Sequence, residues 1–254
     1  MINMEFINNK FKQKINSNTT IVSLYSSPLF TEFYNQLIKQ DNFYNDLNFY
    51  QKNILKKEKS IELASGSGRI LIPMLKEGYN IIGIEKEREM IDEMPIDYRK
   101  HVINEDILDV FNLKEYYKNT NVFLLPATTI SLFSLEDIYR FVNNIIKINK
   151  DFKFIFDVID IENLITTRPQ KHVTEKGTFY DSNHVVDDKI CYNVFHKESN
   201  TLGYSLKYNH KIDLLKDTLL SLNMKITEKS YSNSYYMIIG HYNSKQGDIY
   251  ATNK

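Results

Sequence analysis

The sequence predicts an open α/β fold on a mainly parallel sheet with helices on both faces. Three observations predict it. From Ser60 to Ile159 short apolar runs alternate with segments of helical period. A glycine turn, Ser65-Gly66-Ser67-Gly68, joins the first of those runs to its helix. From about Thr166 to Asp213 the apolar period changes to two, which places an antiparallel insertion beside the parallel part. The 254 residues, 42% hydrophobic and 13% aromatic against 25% charged, suffice for a sizeable core.

The stretch from Asn8 to Thr20 is polar, rich in Asn and Lys, and reads as a frayed lead-in, with order starting near Ile21. Ser27 and Pro28 read as an N-cap and first helical residue, and Phe30, Phe33, Tyr34, Leu37 and Ile38 follow on one helical face. A second aromatic run, Phe43 to Ile54, reads as another helix on the same body. Ser60 to Ala64 is then a strand, and Arg69 to Lys76 a helix closed by Gly78. Pro73 requires that helix to start late or to kink. Tyr79 to Glu85 is a strand ending on an acid, Glu87 to Met94 a helix stopped before Pro95, and Val102 to Asp106 a third strand. Asn121 to Ser131 supplies a fourth strand and its loop, and Ser134-Leu135-Glu136-Asp137 has the form of a capping box. That box opens a helix with Ile138, Phe141, Val142, Ile145 and Ile146 on its buried face, before a fifth strand, Phe152 to Ile159.

In the insertion Ile190, Tyr192, Val194 and His196 share one strand face, and Tyr204, Leu206, Tyr208, His210 and Ile212 share a face of the next. A helix over Leu214 to Leu222 and strands near Met224 to Lys229 and Ser234 to Tyr242 complete the sheet, and Gln246 to Lys254 reads as a loose tail. The organisation expected is an N-terminal helical lid (1–57), a nucleoside-binding core (58–165), an antiparallel insertion over the site (166–213) and a C-terminal completion of the core (214–254).

Lys plus Arg and Asp plus Glu both number 32, so charge offers no case for nucleic acid or a membrane surface as partner. No apolar run approaches the roughly 20 residues that cross a bilayer. The N-terminus lacks the basic-then-apolar pattern of a signal peptide, and Cys191 alone makes neither a disulfide nor a cysteine-based metal site. These features read as a cytoplasmic chain without a metal centre.

The stretch that carries chemistry is Ile61 to Arg69, followed about 20 residues later by Glu85. Two glycines after a strand let backbone approach a ligand, and an acid closing the next strand can accept both hydroxyls of a ribose. Position 71 is Leu, where a dinucleotide fingerprint has its third glycine, and this argues against NAD. A nucleoside ligand without a pyrophosphate fits better.

With these residues the sequence resembles the class I S-adenosylmethionine-dependent methyltransferases, over roughly Ser60 to Ile159 and again in the C-terminal helix and strand pair. Glu62 through Pro73 resembles the first motif of the small-molecule branch, Ile81 through Met90 the second, and Glu105-Asp106-Ile107 the third. The resemblance implies a Rossmann-like sheet of seven strands with the last antiparallel, and the strand count agrees. It implies that Glu85 clasps the ribose, that Met90 packs on adenine and that Asp106 receives the adenine amino group. Thr128 lies in the loop beside the methionine moiety. The implied cofactor set is Tyr25, Glu62, Ala64, Gly66, Gly68, Arg69, Glu85, Lys86, Met90, Asp106, Ile107 and Thr128, with S-adenosylhomocysteine as product. The aromatic stretch Tyr25 to Tyr34 is similar to the lid of sugar- and peptide-modifying N-methyltransferases. The signatures of base, glutamine and catechol-type enzymes are absent.

Each residue also has a plainer reading. Gly66 and Gly68 can form an ordinary tight turn, Arg69 can pair with Glu62 or Glu85, and Asp106 can cap the helix after it. Tyr34 belongs with the core aromatics of its helix, and Tyr25 lies off that stripe. His172, His184, His196 and His210 fall in the insertion; if its strands pair, His196 and His210 form an aromatic-polar wall with Tyr192, Tyr204 and Tyr208 and are the candidate catalytic groups. An aromatic pocket favours the neutral form of an amine by desolvating its ammonium. The sequence therefore reads as an N-methyltransferase of a small molecule or peptide, with O-methylation next and a non-catalytic binding protein of the same fold, or a nicotinamide oxidoreductase, as the other classes.

Overall fold

The structure is a computed structural model that describes residues 4–40, 46–159, 165–166, 168–230 and 234–244. Its N-terminal part comprises α1 (Asn9–Lys12), β1 (Thr20–Ser23), α2 (Pro28–Gln40) and α3 (Asp46–Asn53). The lead-in is not frayed. Ile7 and Phe11 are buried against Phe195 and Leu202, and Asn8 ties the segment down at both ends of its side chain. Its Oδ1 accepts from the Lys10 amide at the start of α1, and its Nδ2 donates to Ser182 Oγ at 2.8 Å. Two apolar side chains in a polar stretch carry no period, so the anchoring was invisible in composition.

The seven-stranded sheet is built from β2 (Ser60–Leu63), β3 (Ile81–Glu85), β4 (Val102–Asn104), β5 (Val122–Leu125), β6 (Asp151–Ile159) and the C-terminal pair described below. Between these strands lie α4 (Leu71–Lys76), α5 (Arg88–Asp92), α6 (Ile96–Arg99), α7 (Lys114–Tyr117) and α8 (Leu135–Ile148). α4 starts late, so Pro73 falls in its first turn, where a missing N–H leaves no helical bond unmade. α8 opens on the expected capping box: Ser134 Oγ accepts from the Asp137 amide at 3.1 Å, and Asp137 accepts from the Ser134 amide. Four apolar residues of α8 are buried, each worth about 1.5–3 kcal/mol of transfer from water. They pack with Phe123, Phe152 and Phe154 on one sheet face, while Tyr50 of α3 and Met74 of α4 cover the other. The part of the second expected helix that is described, α3, thus packs on the core sheet rather than on α2; residues 41–45 lie outside the described residues.

The second sheet consists of β7 (Gln170–Thr174), β8 (Gly177–Val186), β9 (Lys189–His196) and β10 (Thr201–Tyr208), an antiparallel meander that β1 joins in parallel beside β10. α9 (Ile212–Ser221), β11 (Lys225–Ser230) and β12 (Tyr235–Asn243) follow. The first sheet has the order β11-β12-β6-β5-β2-β3-β4, with β12 antiparallel to both neighbours and the remaining pairs parallel. The tail from Gln246 lies outside the described residues.

Register decides what the second sheet shows to each side. Tyr192 lies opposite Ser205, Val194 opposite Gly203 and Ile190 opposite Lys207. These share the face that α2 covers, where Phe30 and Phe33 pack on Phe179 and Val194. Gly203 permits that approach: a Cβ there would stand 2.7 Å from the Phe30 ring. Tyr204 lies opposite Asn193 and Tyr208 opposite Lys189, on the other face, which takes Ile7 and Phe11. The wall expected from Tyr192, Tyr204, Tyr208, His196 and His210 therefore does not form. Tyr192 and His196 face one way, Tyr204 and Tyr208 the other, while His210 lies past the end of β10 and Ile212 opens α9.

Candidate active site

At the C-terminal ends of β2, β3 and β5 the chain encloses a cavity of about 340 Å³, within the range for small-molecule sites. Tyr25, Glu62, Ala64, Gly66, Arg69, Glu85, Lys86, Met90, Asp106, Ile107 and Thr128, eleven of the residues singled out from sequence, line it. The geometry begins with the turn after β2. Gly66 has φ +54° and Gly68 φ +85°, and a Cβ on Gly66 would stand 2.9 Å from the Met90 methyl. Gly68 lies behind the cavity wall, where a Cβ would meet Ile72 and Met94 at 2.9 Å. Ala64 also has positive φ, +53°, a left-handed conformation that costs an alanine about 1–2 kcal/mol.

Glu85 closes the turn from the side. One carboxylate oxygen accepts from the Gly66 amide at 2.7 Å and the other from the Glu87 amide at 2.8 Å. Burial raises its pKa, opposed by those two amides. Asp106 does cap the chain after it, accepting from the Leu108 amide at 3.0 Å, and its second oxygen pairs with Lys86 at 3.0 Å. Glu62 is 2% exposed, and its Oε2 has no hydrogen-bond partner. Burial, with the carboxylate of Asp46 nearby, pushes the Glu62 carboxyl up to about 8 against the pull of Arg69. A buried oxygen left bare beside a cavity is costly unless a ligand supplies its donor.

Arg69 pairs with neither acid expected of it. Its guanidinium grips Asp46 at the start of α3, with contacts of 2.7 and 2.5 Å. Two further bonds fasten the N-terminal segments to the turn: Ser26 Oγ donates to Glu87 at 2.8 Å, and Ser67 Oγ to Asn35 of α2 at 2.6 Å. Tyr25 and Tyr34 meet edge to face at 5.5 Å, and both line the cavity, although Tyr34 sits on the apolar stripe of α2. Burial raises the Tyr34 hydroxyl to about 12.

The loop after β5 holds two consecutive left-handed residues, Ala127 and Thr128, at φ +62° and +55°. Asp157 of β6 holds it there: fully buried, it accepts from the Thr128 amide at 2.6 Å and the Tyr50 hydroxyl at 2.9 Å. Burial and the field of Asp46 lift its pKa to about 6. Sequence reasoning missed Asp157, although an acid inside the apolar run Phe154 to Ile159 was its signal.

Neither candidate histidine lines the cavity. His196 is buried under Phe179, its ring nitrogens engaged by Ser199 at 2.7 Å and the Lys176 carbonyl at 3.0 Å. His210 bonds the Phe133 carbonyl at 2.7 Å from behind the loop that forms the wall. Both rings are taken up by structural hydrogen bonds away from the cavity. Among the described residues no group of three or more His, Cys, Asp or Glu is placed to hold a metal ion, and no helix is long and apolar enough to cross a membrane.

The site sits on a Rossmann-like architecture: a glycine turn after the first strand of the parallel sheet, an acid at the end of the second and an acid after the third. No known family's sequence profile and no curated protein matches the chain. Solved structures do match. An S-adenosylmethionine-dependent methyltransferase from Clostridium acetobutylicum superposes with a TM-score of 0.65 at 14% identity, over 84% of this chain and 98% of that one. A sugar N-methyltransferase from a Streptoalloteichus species gives 0.62 at 11%, over 84% and 92%. A glycopeptide N-methyltransferase complexed with S-adenosylhomocysteine gives 0.56 at 10%, over 91% and 96%. The fold is that of the class I S-adenosylmethionine-dependent methyltransferases.

Proposed function

We propose that this chain is an S-adenosylmethionine-dependent methyltransferase that modifies an amine of a small molecule or peptide. The observation that carries the reading is the union of Glu85, the Gly66 turn and the bare Glu62 oxygen in one cavity. The residues fit the cofactor. Gly66 leaves beside Met90 the space that a Cβ would fill, as a flat adenosine requires, and Glu62 offers an acceptor suited to a ligand's ammonium. Glu85 has lone pairs left after its two amide bonds, enough for both ribose hydroxyls.

S-adenosylmethionine supplies a methyl group activated on a sulfonium. The protein's part is alignment and exclusion of water, since displacement at a sulfonium disperses charge and needs no strong acid or base. Tyr25 and Tyr34, held down by the Ser26 and Asn35 bonds, roof the cavity; Thr128 and Phe133 wall it. An amine acceptor is favoured because no histidine lines the cavity among the described residues, so a hydroxyl would lack the usual neutral-pH base. The aromatic roof favours the uncharged amine.

The test is a thermal shift with S-adenosylmethionine, S-adenosylhomocysteine, NAD and NADP, followed by an amine and a phenol acceptor panel read by formation of S-adenosylhomocysteine. At about 100 times Kd, linkage gives roughly 2.7 kcal/mol, or about 5–10 °C at this length. Stabilisation by a nicotinamide nucleotide and not by the sulfur nucleosides overturns the cofactor; turnover of phenols alone overturns the amine.

A further inference from the structure

Three cations line the cavity, and two have carboxylate partners: Arg69 grips Asp46, and Lys86 pairs with Asp106. The third, Lys207 of β10, makes no hydrogen bond or ion pair with any described residue. Its Nζ lies 5.7 Å from the centroid of the Tyr192 ring, the one favourable contact of its charge. The acid on that sheet face, Asp181, is engaged by His172 at 2.7 Å. Burial pulls the Lys207 pKa below the ordinary lysine value, and no neighbouring charge of either sign contributes. Lys207 is half-buried at the cavity wall, where a cation without a counter-charge is costlier than in open water and a methionine would fill the same volume without that cost.

Position says which ligand meets this charge. Every residue assigned to the nucleoside, apart from Tyr25 of the lid, comes from the strands of the first sheet or the segments that join them. Lys207 comes from the second sheet, two residues along the same face from Ser205 and with its ammonium near the Tyr192 ring. It therefore belongs to the acceptor's side of the cavity. We infer that the acceptor carries an oxyanion, a carboxylate or a phosphate, which pairs with Lys207 and anchors the amine beneath Tyr25 and Tyr34. The inference rests on the methyltransferase reading for which side the acceptor takes. A cation there also disfavours the protonated form of the acceptor amine, the form that cannot be methylated.

Isothermal titration of matched probes tests it: benzylamine, 4-(aminomethyl)benzoate and 4-(aminomethyl)phenyl phosphate, each with and without saturating S-adenosylhomocysteine. The proteins are wild type, Lys207→Met and Lys207→Arg. In the wild type one oxyanion probe binds about tenfold or more tighter than benzylamine, the carboxylate and phosphate arms telling the two apart. Lys207→Met brings the pair within about twofold, and Lys207→Arg restores part of the preference. S-adenosylhomocysteine affinity serves as the check that each variant is folded. No preference in the wild type, including no binding of any probe, overturns the inference, as does a preference that survives in Lys207→Met. If the nucleoside itself fails to bind, the cofactor reading falls, while the titrations without it still report on Lys207.

Discussion

Replacing Glu85 by Gln separates the ribose clasp from the folding of its loop. Glu85 is 6% exposed, and each of its oxygens accepts one amide, from Gly66 at 2.7 Å and Glu87 at 2.8 Å. A carboxylate has about four acceptor sites, so about two remain for ribose hydroxyls. The amide of Gln has one oxygen and a donor NH₂, so one backbone N–H meets a donor and one hydroxyl loses its acceptor. Losing charge assistance on two hydroxyl bonds costs about 1–2 kcal/mol each, which weakens S-adenosylhomocysteine binding about 30- to 1000-fold. Stability moves less. Because the folded pKa of Glu85 lies above its unfolded value, the ionised carboxyl costs the fold stability as pH rises, and Gln removes that cost. The opposed N–H groups cost at most about 2 kcal/mol, some 4–8 °C at this length. Isothermal titration with S-adenosylhomocysteine, beside a melting curve, reads both. Affinity within about threefold of wild type at an unchanged Tm would refute the clasp.

Ala64→Gly relieves a left-handed alanine worth about 1–2 kcal/mol but restores about 0.5–1 kcal/mol of unfolded-chain entropy, so Tm stays level or rises by up to about 6 °C; a fall means that the methyl packs usefully. Arg69→Met leaves the Asp46 carboxylate, 3% exposed, without its guanidinium. With Arg69 itself 24% exposed the loss is about 2–3 kcal/mol, and melting drops by about 4–12 °C. Glu62, with a folded pKa near 8 against 4.5 for a free carboxyl, stabilises the fold through its bound proton below about pH 4.5 and loses that contribution as pH rises through 8. If it receives the ammonium of the ligand, S-adenosylhomocysteine binding at pH 7 releases close to one proton and tightens from pH 6 to 8. Titration in buffers of different ionisation enthalpy measures the release, and Glu62→Gln abolishes it.

The parallel core was legible because its signals are local. Strand, turn and helix alternate within windows of about ten residues. The capping box at Ser134 and the late start that Pro73 imposes on α4 both follow from backbone donors counted in one turn. What failed depended on partners far along the chain. The anchoring of Asn8 involves Ser182 and Asn193, 174 and 185 residues away, and no window could contain it. β1, with only Ile21 and Val22 as its apolar residues, is too short to read as a strand until β10 offers it an edge.

The same division runs through the site. Gly66, Glu85 and Asp106 each sit at a fixed distance past a strand end, so spacing alone places them together. The second wall depends on parity. The turn between β9 and β10 brings Tyr192 opposite Ser205, and this sets the odd-numbered residues of β10 on the face that α2 covers, with Lys207 at the cavity. One residue of difference in that turn would present Tyr204, Leu206 and Tyr208 instead, the residues that sequence grouped with His196, His210 and Tyr192 in an aromatic-polar wall. The face of Tyr204 and Tyr208 takes Ile7 and Phe11, from a segment that sequence left unstructured, and the opposite face brings Lys207 to the cavity. On the proposed acceptor site, a one-residue insertion or deletion between Lys197 and Asn200 inverts which face of β10 meets the cavity, and is expected to abolish the oxyanion preference while leaving S-adenosylhomocysteine binding in place.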